Sequence, residues 1–283
     1  MKISVTGAAG LLGKGVTEIF RKQHEVFPLT RQEGDITDEA QMLSVLSKIK
    51  PELIVHAAAM PDIDDCEKNP EQAWRVNSEA TKALVKIAQE LGCGFAFIST
   101  DAVFDGKSTR PYVESDLVNP PSVYGHTKVA AEESVRRYSK HWIFRVSALF
   151  GPGKANFVNK GLCKAWGKEQ YVVASDQLGS ATYTLDAAET MLQAFASGAK
   201  GTFHLCNQGA CTRYDLARRS VELAGLDPSI VVGRKMAEMN RPGPRLPYAV
   251  MEMRALPAAG IPLPRPWEAA LESYVKTLET PAT

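Results

Sequence analysis

The chain is poor in cysteine and lacks any long apolar run. Its five cysteines are scattered and odd in number, and no pair has CxxC or zinc-finger spacing, so neither a disulfide framework nor a metal site is expected. No apolar segment approaches the roughly 20 residues that span a bilayer, and the first residues lack the apolar core of a secretory signal. These absences predict a cytoplasmic protein with no bound metal and no membrane partner.

An excess of charge of either sign is missing too. The 33 lysines and arginines balance 32 aspartates and glutamates, so there is no electrostatic reason to expect nucleic acid or an anionic membrane as a partner. What remains is 283 residues, of which 45% are hydrophobic and 23% are charged. This composition is typical of a globular protein of one or two domains.

The N-terminal segment predicts a dinucleotide-binding loop. The apolar strand 2–6 runs into a glycine-rich turn with G-x-x-G-x-x-G spacing, and a helical pattern follows to Phe20. Glycines permit a tight turn and a close approach to a pyrophosphate, while the helix N-terminus offers free amides to that anion. The cofactor contacts predicted here are Gly7, Gly10, Leu11, Leu12 and Gly13.

The second strand, 25–29, bears on the choice of cofactor. It ends in Thr30 and Arg31, with no carboxylate at the strand tip. An acidic residue there would bind the adenosine 2′-hydroxyl of NAD, whereas a basic residue accommodates the 2′-phosphate of NADP. Arg31 therefore favours NADPH, and NADH stays open as the alternative.

Further strands at 52–56, 95–100 and 142–147 alternate with helices, one of them a long amphipathic helix over 71–91. This alternation predicts an α/β fold with a doubly wound parallel sheet of the Rossmann type. We expect residues 1–150 to form the NAD(P)-binding domain, to which the chain returns around 175–206. Residues 151–283 would form mainly a smaller substrate-binding region, in which the proline-rich segment 241–266 is an extended wrap.

A candidate catalytic group lies between Ser99 and Lys128. Tyr124 and Lys128 are four residues apart, which places both on one helix face. A neighbouring ammonium lowers the pKa of a tyrosine, which is ordinarily about 10. Thr100 ends a strand, so its hydroxyl can reach the same point. Together these groups can protonate a carbonyl oxygen and hold a ribose, although a tyrosine and a lysine at this spacing also occur by chance on solvated helices.

Several segments resemble the extended short-chain dehydrogenase/reductases and, within them, the dTDP-4-dehydrorhamnose reductases. The glycine loop and the YxxxK motif mark only the superfamily, while Val-Phe-Asp-Gly and Asp-Gln-x-Gly are particular to the reductases. The resemblance covers nearly the whole chain. Its segments are Gly7-x-x-Gly10-x-x-Gly13, 35–38, 56–59, Val76-Asn77, 99–106, 111–116, Tyr124-Gly-x-x-Lys128, Asn156-Phe157, 176–179 and 201–205.

The resemblance implies a reductase acting on the 4-keto group of a nucleotide-linked 6-deoxyhexose, with Thr100, Tyr124 and Lys128 as the catalytic trio. Tyr124 would protonate the C4 oxygen, and Lys128 would bind the nicotinamide ribose. The further cofactor contacts that it implies are Asp35, Ile36, Ala57, Ala58, Ala59 and Asn77. The substrate contacts that it implies are Asp101, Ala102, Val103, Phe104, Asn156, Gln177 and Arg245. Since such relatives often pair, we expect a homodimer through helix faces containing Trp74, Leu84 and Tyr138.

The chain departs from the family pattern around the sugar. Ala102 replaces a tyrosine that is usual in these reductases, and Ala148 replaces a tryptophan that is often present. Ala249 follows Tyr248 where the family usually has serine. Since both aromatic rings would flank the sugar, we hypothesise a related but different 4-keto-6-deoxy sugar as substrate. Ala102 also replaces the glutamate of the sugar-nucleotide dehydratases, which disfavours dehydration.

Two other functions are compatible with the same residues. The chain also resembles the regulatory subunit of methionine adenosyltransferase, which binds NADP as a partner protein and has the same tyrosine and lysine. The trio therefore does not separate a reductase from a non-catalytic NADP-binding protein. An epimerase or another sugar-nucleotide-modifying enzyme is the remaining alternative.

Overall fold

The computed structural model describes residues 1–278. Its strands are β1 (Lys2–Thr6), β2 (Glu25–Leu29), β3 (Leu53–His56), β4 (Gly94–Thr100), β5 (His141–Val146), β6 (Leu149–Phe150), β7 (Tyr171–Ala174), β8 (Leu178–Gly179), β9 (Thr182–Tyr183), β10 (Gly201–His204), β11 (Cys211–Thr212), β12 (Val231–Arg234) and β13 (Tyr248–Ala249). Its α-helices are α1 (Leu11–Phe20), α2 (Glu39–Ile49), α3 (Ile63–Lys68), α4 (Pro70–Trp74), α5 (Ala80–Leu91), α6 (Val123–Arg136), α7 (Phe157–Trp166), α8 (Thr184–Ser197), α9 (Arg213–Leu223), α10 (Ala255–Ala258) and α11 (Trp267–Val275).

The central element is a six-stranded sheet in the order β10-β5-β4-β3-β1-β2, with every neighbouring pair parallel. Pro28 lies in β2, which is an edge strand, where a missing backbone donor is tolerated. The order reverses at β1, because β2 and β3 lie on its two sides. In such sheets ligands bind beyond the carboxyl ends of the strands at the reversal point. The predicted doubly wound parallel sheet is confirmed.

Helices cover both faces of the sheet, and alternate strand residues point into two separate cores. Phe95 and Phe97 of β4 belong to the core under α2, α5 and α6. Ala96 and Ile98 belong to the opposite core, under α1 and α8. All seven residues of β4 are buried, as expected for a parallel strand covered on both sides.

A third core lies among α7, α9, α11 and the short strands after residue 150. β7 pairs with β12, and β8 pairs with both β11 and β13. Strand β10 returns to the edge of the main sheet beside β5. The division into a cofactor domain and a substrate region stays a prediction, since the cores are in contact along one continuous chain.

The predicted long helix over 71–91 is confirmed, with one irregularity inside it. Helical backbone runs from α4 through a π-helical turn over Arg75–Glu79 into α5, so the chain is helical from Pro70 to Leu91. Gly92 ends α5 with φ of +68°, as the sequence predicts. Two residues of the expected dimer face do not lie on the surface. Leu84 is fully buried in the core, and Tyr138 is 8% exposed. Trp74 is 40% exposed.

No helix among the described residues has the length and apolarity that a membrane span requires.

Candidate active site

The glycine loop between β1 and α1 brings two backbones into close contact. Gly7 has φ of +69°, in the left-handed region, and a Cβ there would lie 2.5 Å from the backbone nitrogen of Ala58. A Cβ at Gly13 would lie 2.2 Å from the carbonyl oxygen of Gly7. Side chains at these two positions are therefore excluded. The chain after β1 and the chain after β3 pass directly beside each other at the reversal point of the sheet.

The N-terminus of α1 fits an anionic group. Its N-cap is Gly10, which has no side chain to accept a hydrogen bond, and no acidic residue lies in its first turn. The backbone amides of Leu11, Leu12 and Gly13 have no acceptor within residues 1–278. A pyrophosphate would satisfy these donors and is favoured by the helix dipole. The Leu12 side chain is buried in the core, so only its backbone is available.

A carboxylate does reach the end of β2, contrary to the sequence prediction. Glu33 folds back, and its carboxylate accepts hydrogen bonds from the Thr30 amide at 2.7 Å and the Thr30 hydroxyl at 2.5 Å. Arg31 is exposed beside it. Arg75, which sequence reasoning missed, donates to the Thr37 hydroxyl at 3.0 Å. Arg31 and Arg75 border this turn and supply cations suited to a 2′-phosphate, while the Glu33 carboxylate is engaged by Thr30.

Asp35 is occupied by its own turn. Its carboxylate accepts hydrogen bonds from the Thr37 amide at 2.9 Å and hydroxyl at 2.8 Å. These two bonds, and then the charges of Arg31 and Arg75, lower the pKa of Asp35. The following residue, Ile36, is half-buried. Asp35 thus shapes the turn predicted to hold the adenine, with its carboxylate oxygens already engaged.

The segment Ala57–Ala59 is fixed in place by Asn77. The buried Asn77 amide accepts from the Met60 amide at 2.8 Å and donates to the Met60 carbonyl at 3.1 Å. It also donates to the Thr127 hydroxyl of α6 at 3.1 Å. Asn77 lies in the π-helical turn, an irregularity that is frequent at functional sites. Because these bonds use both the oxygen and the nitrogen of the Asn77 amide, the side chain holds Met60 and thereby the three half-buried alanines that precede it.

The start of α6 is pressed against the end of β4. The Ser122 side chain caps the helix by accepting from the Gly125 amide at 3.1 Å. A Cβ at Gly125 would lie 2.3 Å from the Ala102 carbonyl oxygen, so only glycine allows this approach. Tyr124, the residue between them, is therefore held beside Thr100 at the carboxyl end of β4.

A chain of hydroxyl and carboxyl groups connects Tyr124 with the cavity floor. The Tyr124 hydroxyl lies near the Thr100 side chain, which acts to lower the pKa of Tyr124. Thr100 donates to an Asp101 carboxylate oxygen at 3.0 Å, and Ser147 donates to the other oxygen. Burial raises the pKa of Tyr124 above its ordinary value, and only the Thr100 hydrogen bond opposes this. The tyrosine is therefore a protonated hydroxyl at neutral pH.

The ammonium of Lys128 is held by the sheet. It is buried, donates to the Ile98 carbonyl at 2.6 Å and lies 3.9 Å from the centroid of the Phe97 ring. Burial lowers the pKa of Lys128 to about 7, partly offset by the charge of Glu132. The lowering of the Tyr124 pKa by this lysine stays a prediction.

A cavity of about 650 Å³ opens beside the hydroxyl chain. It lies between the carboxyl end of β4, the start of α7, strand β7 and the proline-rich segment before β13. Its charged lining residues are Asp62, Asp64, Asp101, Lys160, Arg213, Arg241 and Arg245. A cavity of this size holds a drug-sized ligand, and convergent charged groups fix its orientation.

Most of the predicted substrate residues reach this cavity. Asp101, Ala102, Gln177 and Arg245 line it, and Arg245 donates to the Asp64 carboxylate at 3.0 Å. Asn156 also lies in the wall, but its side chain caps α7. Its amide nitrogen donates to the Gly151 carbonyl at 2.9 Å and the Tyr274 hydroxyl at 2.9 Å. Asn156 is committed to holding α7.

Val103 and Phe104 are not brought to the cavity, which corrects their assignment as substrate contacts. Both are fully buried in the core of the sheet. Phe104 stacks on Tyr112 at a centroid distance of 4.2 Å, and the guanidinium carbon of Arg145 lies 5.1 Å from the Phe104 ring. After Ala102 the backbone turns toward the core, so the buried side chains of Val103 and Phe104 hold the turn from the core side.

Sequence reasoning missed several residues of the site. Lys160, Arg213 and Arg241 supply cations from three separate segments, and Ser147 binds the Asp101 carboxylate. None belongs to the motifs that were singled out. Among residues 1–278 no group of three or more His, Cys, Asp or Glu side chains comes together as a metal site.

The comparisons with known proteins agree with the resemblance read from the motifs. The family described as the RmlD substrate binding domain matches residues 1–280. The spore coat polysaccharide biosynthesis protein SpsK of Bacillus subtilis is 35% identical over 97% of this chain and 97% of its own length.

Two solved structures match almost the entire chain. The dTDP-4-dehydrorhamnose reductase of Clostridium acetobutylicum has a TM-score of 0.95 at 33% identity and covers 99% of this chain and 100% of its own. The dTDP-4-dehydrorhamnose reductase of Bacillus anthracis, solved in complex with NADP, has a TM-score of 0.94 at 28% identity, covering 98% of this chain and 99% of its own. The protein belongs to the dTDP-4-dehydrorhamnose reductase family.

Proposed function

We propose that this protein reduces the 4-keto group of a nucleotide-linked 6-deoxyhexose with NADPH, as a dTDP-4-dehydrorhamnose reductase of dTDP-L-rhamnose biosynthesis. One observation carries the proposal. The Thr100 and Tyr124 hydroxyls lie together at the carboxyl end of β4, next to Asp101 and Ala102 in the wall of the large cavity. This arrangement supports Tyr124 as a proton donor to a ligand held in the cavity.

NADPH, when bound, supplies the hydride. The free amides at the start of α1 would hold its pyrophosphate, and Arg31 and Arg75 would hold its 2′-phosphate. Relatives named for the same reaction include one solved with NADP, and this supports the choice of NADPH over NADH.

The side chains at the end of β4 would handle the proton. Tyr124 holds a proton at neutral pH, because burial raises its pKa. It can donate that proton to a carbonyl oxygen that gains negative charge. Asp101 accepts the Thr100 hydrogen bond and so fixes the orientation of that hydroxyl. Lys128 would bind the ribose of the cofactor once its ammonium leaves the Ile98 carbonyl.

We further place the reaction in the cytoplasm. All five cysteines are free thiols, which is the usual state in a reducing compartment. Pairing of two copies stays a prediction, with Trp74 as the exposed residue of the face proposed for it.

The test is NADPH oxidation, followed by the nicotinamide absorbance, with dTDP-4-dehydrorhamnose as substrate. Tyr124→Phe should lower kcat by about 100-fold to 10,000-fold, the usual contribution of a positioned acid. NADPH binding should be unchanged. Tyr214→Phe, which removes a hydroxyl from the exposed side of α9, is the matched control and should keep full activity.

Undiminished turnover by Tyr124→Phe would refute Tyr124 as the proton donor. Tight NADPH binding without turnover of any 4-keto sugar nucleotide would refute the reductase assignment and favour a non-catalytic NADP-binding protein.

A further inference from the structure

A half-buried cation outside every recognised motif lies in the cavity wall. Arg213 begins α9, directly after the N-cap residue Thr212. Its backbone amide donates to the Gln177 carbonyl at 3.3 Å, which extends the antiparallel pairing of β8 with β11. Arg213 and the predicted substrate residue Gln177 therefore lie side by side on the cavity wall.

Among the described residues the guanidinium of Arg213 has no acceptor. Within residues 1–278 it forms no side-chain hydrogen bond and no ion pair, and its central carbon lies 5.4 Å from the centroid of the Phe157 ring. A guanidinium carries five N–H donors, and partly desolvated donors without acceptors are unfavourable. A ligand that presents oxygen atoms would satisfy them.

The other cations of the cavity differ from Arg213 in exposure or in partner. Lys160 and Arg241 are exposed, which places them at the solvent side. Arg245 is already bonded to Asp64 at 3.0 Å. The exposed pair is suited to the diphosphate of a sugar nucleotide, because a diphosphate remains partly hydrated where the ligand leaves the cavity.

Arg213 shares the cavity lining with Asp101. Burial raises the pKa of Asp101, and after the Ser147 hydrogen bond the charge of Arg213 opposes that rise. Asp101 in turn accepts a hydrogen bond from the Thr100 hydroxyl. The keto group must lie at the Thr100 and Tyr124 hydroxyls, so a guanidinium in the wall of the same cavity can reach the sugar ring.

We propose that Arg213 is a specificity-determining residue that donates hydrogen bonds to oxygen substituents of the hexose ring, while other groups hold the diphosphate. The inference rests on the proposed function. Ala102 and Ala148 present only methyl groups to the same cavity, so the ring and the guanidinium have room to meet. Because the planar fork of an arginine engages two oxygens at once, the residue selects hydroxylated rings over rings that lack those oxygens.

Two ligands measured by titration calorimetry in the presence of NADPH separate sugar contacts from diphosphate contacts. They are dTDP, which has no sugar, and the reduced product dTDP-L-rhamnose, which cannot turn over with NADPH. The variants are Arg213→Met and Arg213→Lys. Arg219→Met is the matched control, since Arg219 lies on the same helix and pairs with Glu222 on its exposed side.

Arg213→Met should weaken dTDP-L-rhamnose binding by about 10-fold to 100-fold, the range for hydrogen bonds from a charged donor. Binding of dTDP should change by less than about twofold, which also shows that the variant is folded. Arg213→Lys should recover part of the loss, and Arg219→Met should match the parent protein.

Equal weakening of both ligands would place Arg213 on the diphosphate and overturn the inference. So would unchanged binding of both ligands, or a parent that binds dTDP-L-rhamnose no more tightly than dTDP. Absence of turnover in the parent counts against the proposed function alone, because the two binding constants still decide where Arg213 acts.

Discussion

At the scale of single residues, Lys128 is a lysine whose buried surroundings disfavour its charged form. Its side chain is 2% exposed, and its ammonium has the Ile98 carbonyl as its hydrogen-bond partner. Burial lowers the pKa of Lys128 to about 7. Behind it, burial and then the charge of Lys128 lower the pKa of His56 to about 3, so this histidine stays neutral. An unfavourable lysine in this place indicates a function other than stability.

Lys128→Met should therefore stabilise the protein while abolishing turnover. The ordinary pKa of 10.5 applies to the unfolded chain and about 7 to the folded one, so the unfolded state binds more protons between these values. The free energy of unfolding of the parent should therefore rise with pH between about 7 and 10.5, and it should stay below its maximum at more acid pH. One pKa unit corresponds to about 1.4 kcal/mol. Lys128→Met removes the cost of burying the ammonium, and this should raise Tm by a few degrees at pH 7.

Thermal unfolding of the two proteins from pH 6 to pH 10 is the measurement. The gap in Tm should be largest at the acid end and should narrow as pH rises. A Met variant that is less stable than the parent at every pH would show that the bond to Ile98 outweighs the desolvation of the ammonium.

At the scale of elements, the position of α6 decides the geometry of the site, because it carries both Tyr124 and Lys128. Its anchor is the fully buried Glu132, whose carboxylate accepts from Arg145 of β5 at 2.8 and 2.9 Å and from Ser99 of β4 at 2.6 Å. Burial alone would raise the pKa of Glu132, but these bonds and the arginine charge bring it below its ordinary value. One carboxylate thus ties the helix to two strands.

Glu132→Gln should destabilise the protein by about 3–5 kcal/mol, since it leaves the buried Arg145 without its counter-charge. Urea denaturation measures the loss, and Glu133→Gln, at an exposed position on the same helix, is the control. The double variant Glu132→Leu, Arg145→Met should be more stable than Glu132→Gln, because neither charge remains buried. A Glu132→Gln protein with the midpoint of the parent would refute the anchoring role.

Much of the element order could be predicted from the sequence, and the failures have a physical cause. Strands β1 and β7 and the end of α5 at Gly92 follow from apolar runs and a glycine cap. The π-helical turn inside the predicted 71–91 helix could not be found from the sequence, because it changes the hydrogen-bond register without interrupting the apolar pattern. The buried Asn77 stabilises this turn through Met60 and Thr127, which are contacts of the folded chain.

At the scale of the whole molecule, the cavity is formed by segments that are far apart in sequence. Four such segments contribute lining residues that only the folded chain brings together, namely Asp101, Ala148, Arg213 and Arg245. Motifs predicted the cofactor loop and the hydroxyl groups, because each is local. Arg213 could not be predicted, because a single arginine at the start of a helix gives no sequence signal of a binding site, and only the fold brings it into the same cavity as Asp101.

An alanine in the cavity wall bears on the choice of sugar. Ala148, with φ of +33°, lies in the cavity wall at a position where the family resemblance implies a tryptophan, so no ring is available there for a sugar to pack on. Ala148→Trp should narrow the cavity and raise kcat/KM for dTDP-4-dehydrorhamnose about 10-fold relative to sugar nucleotides with bulkier ring substituents, the usual selectivity of a pocket contact.

The measurement is the ratio of kcat/KM for dTDP-4-dehydrorhamnose to that for each bulkier 4-keto sugar nucleotide, in the parent and the variant. Ala155→Trp, at an exposed position that is not part of the lining, is the control and should leave the ratio unchanged. A ratio that Ala148→Trp does not move would mean that the space left by the missing ring is filled by the protein. The altered lining would then select no different sugar.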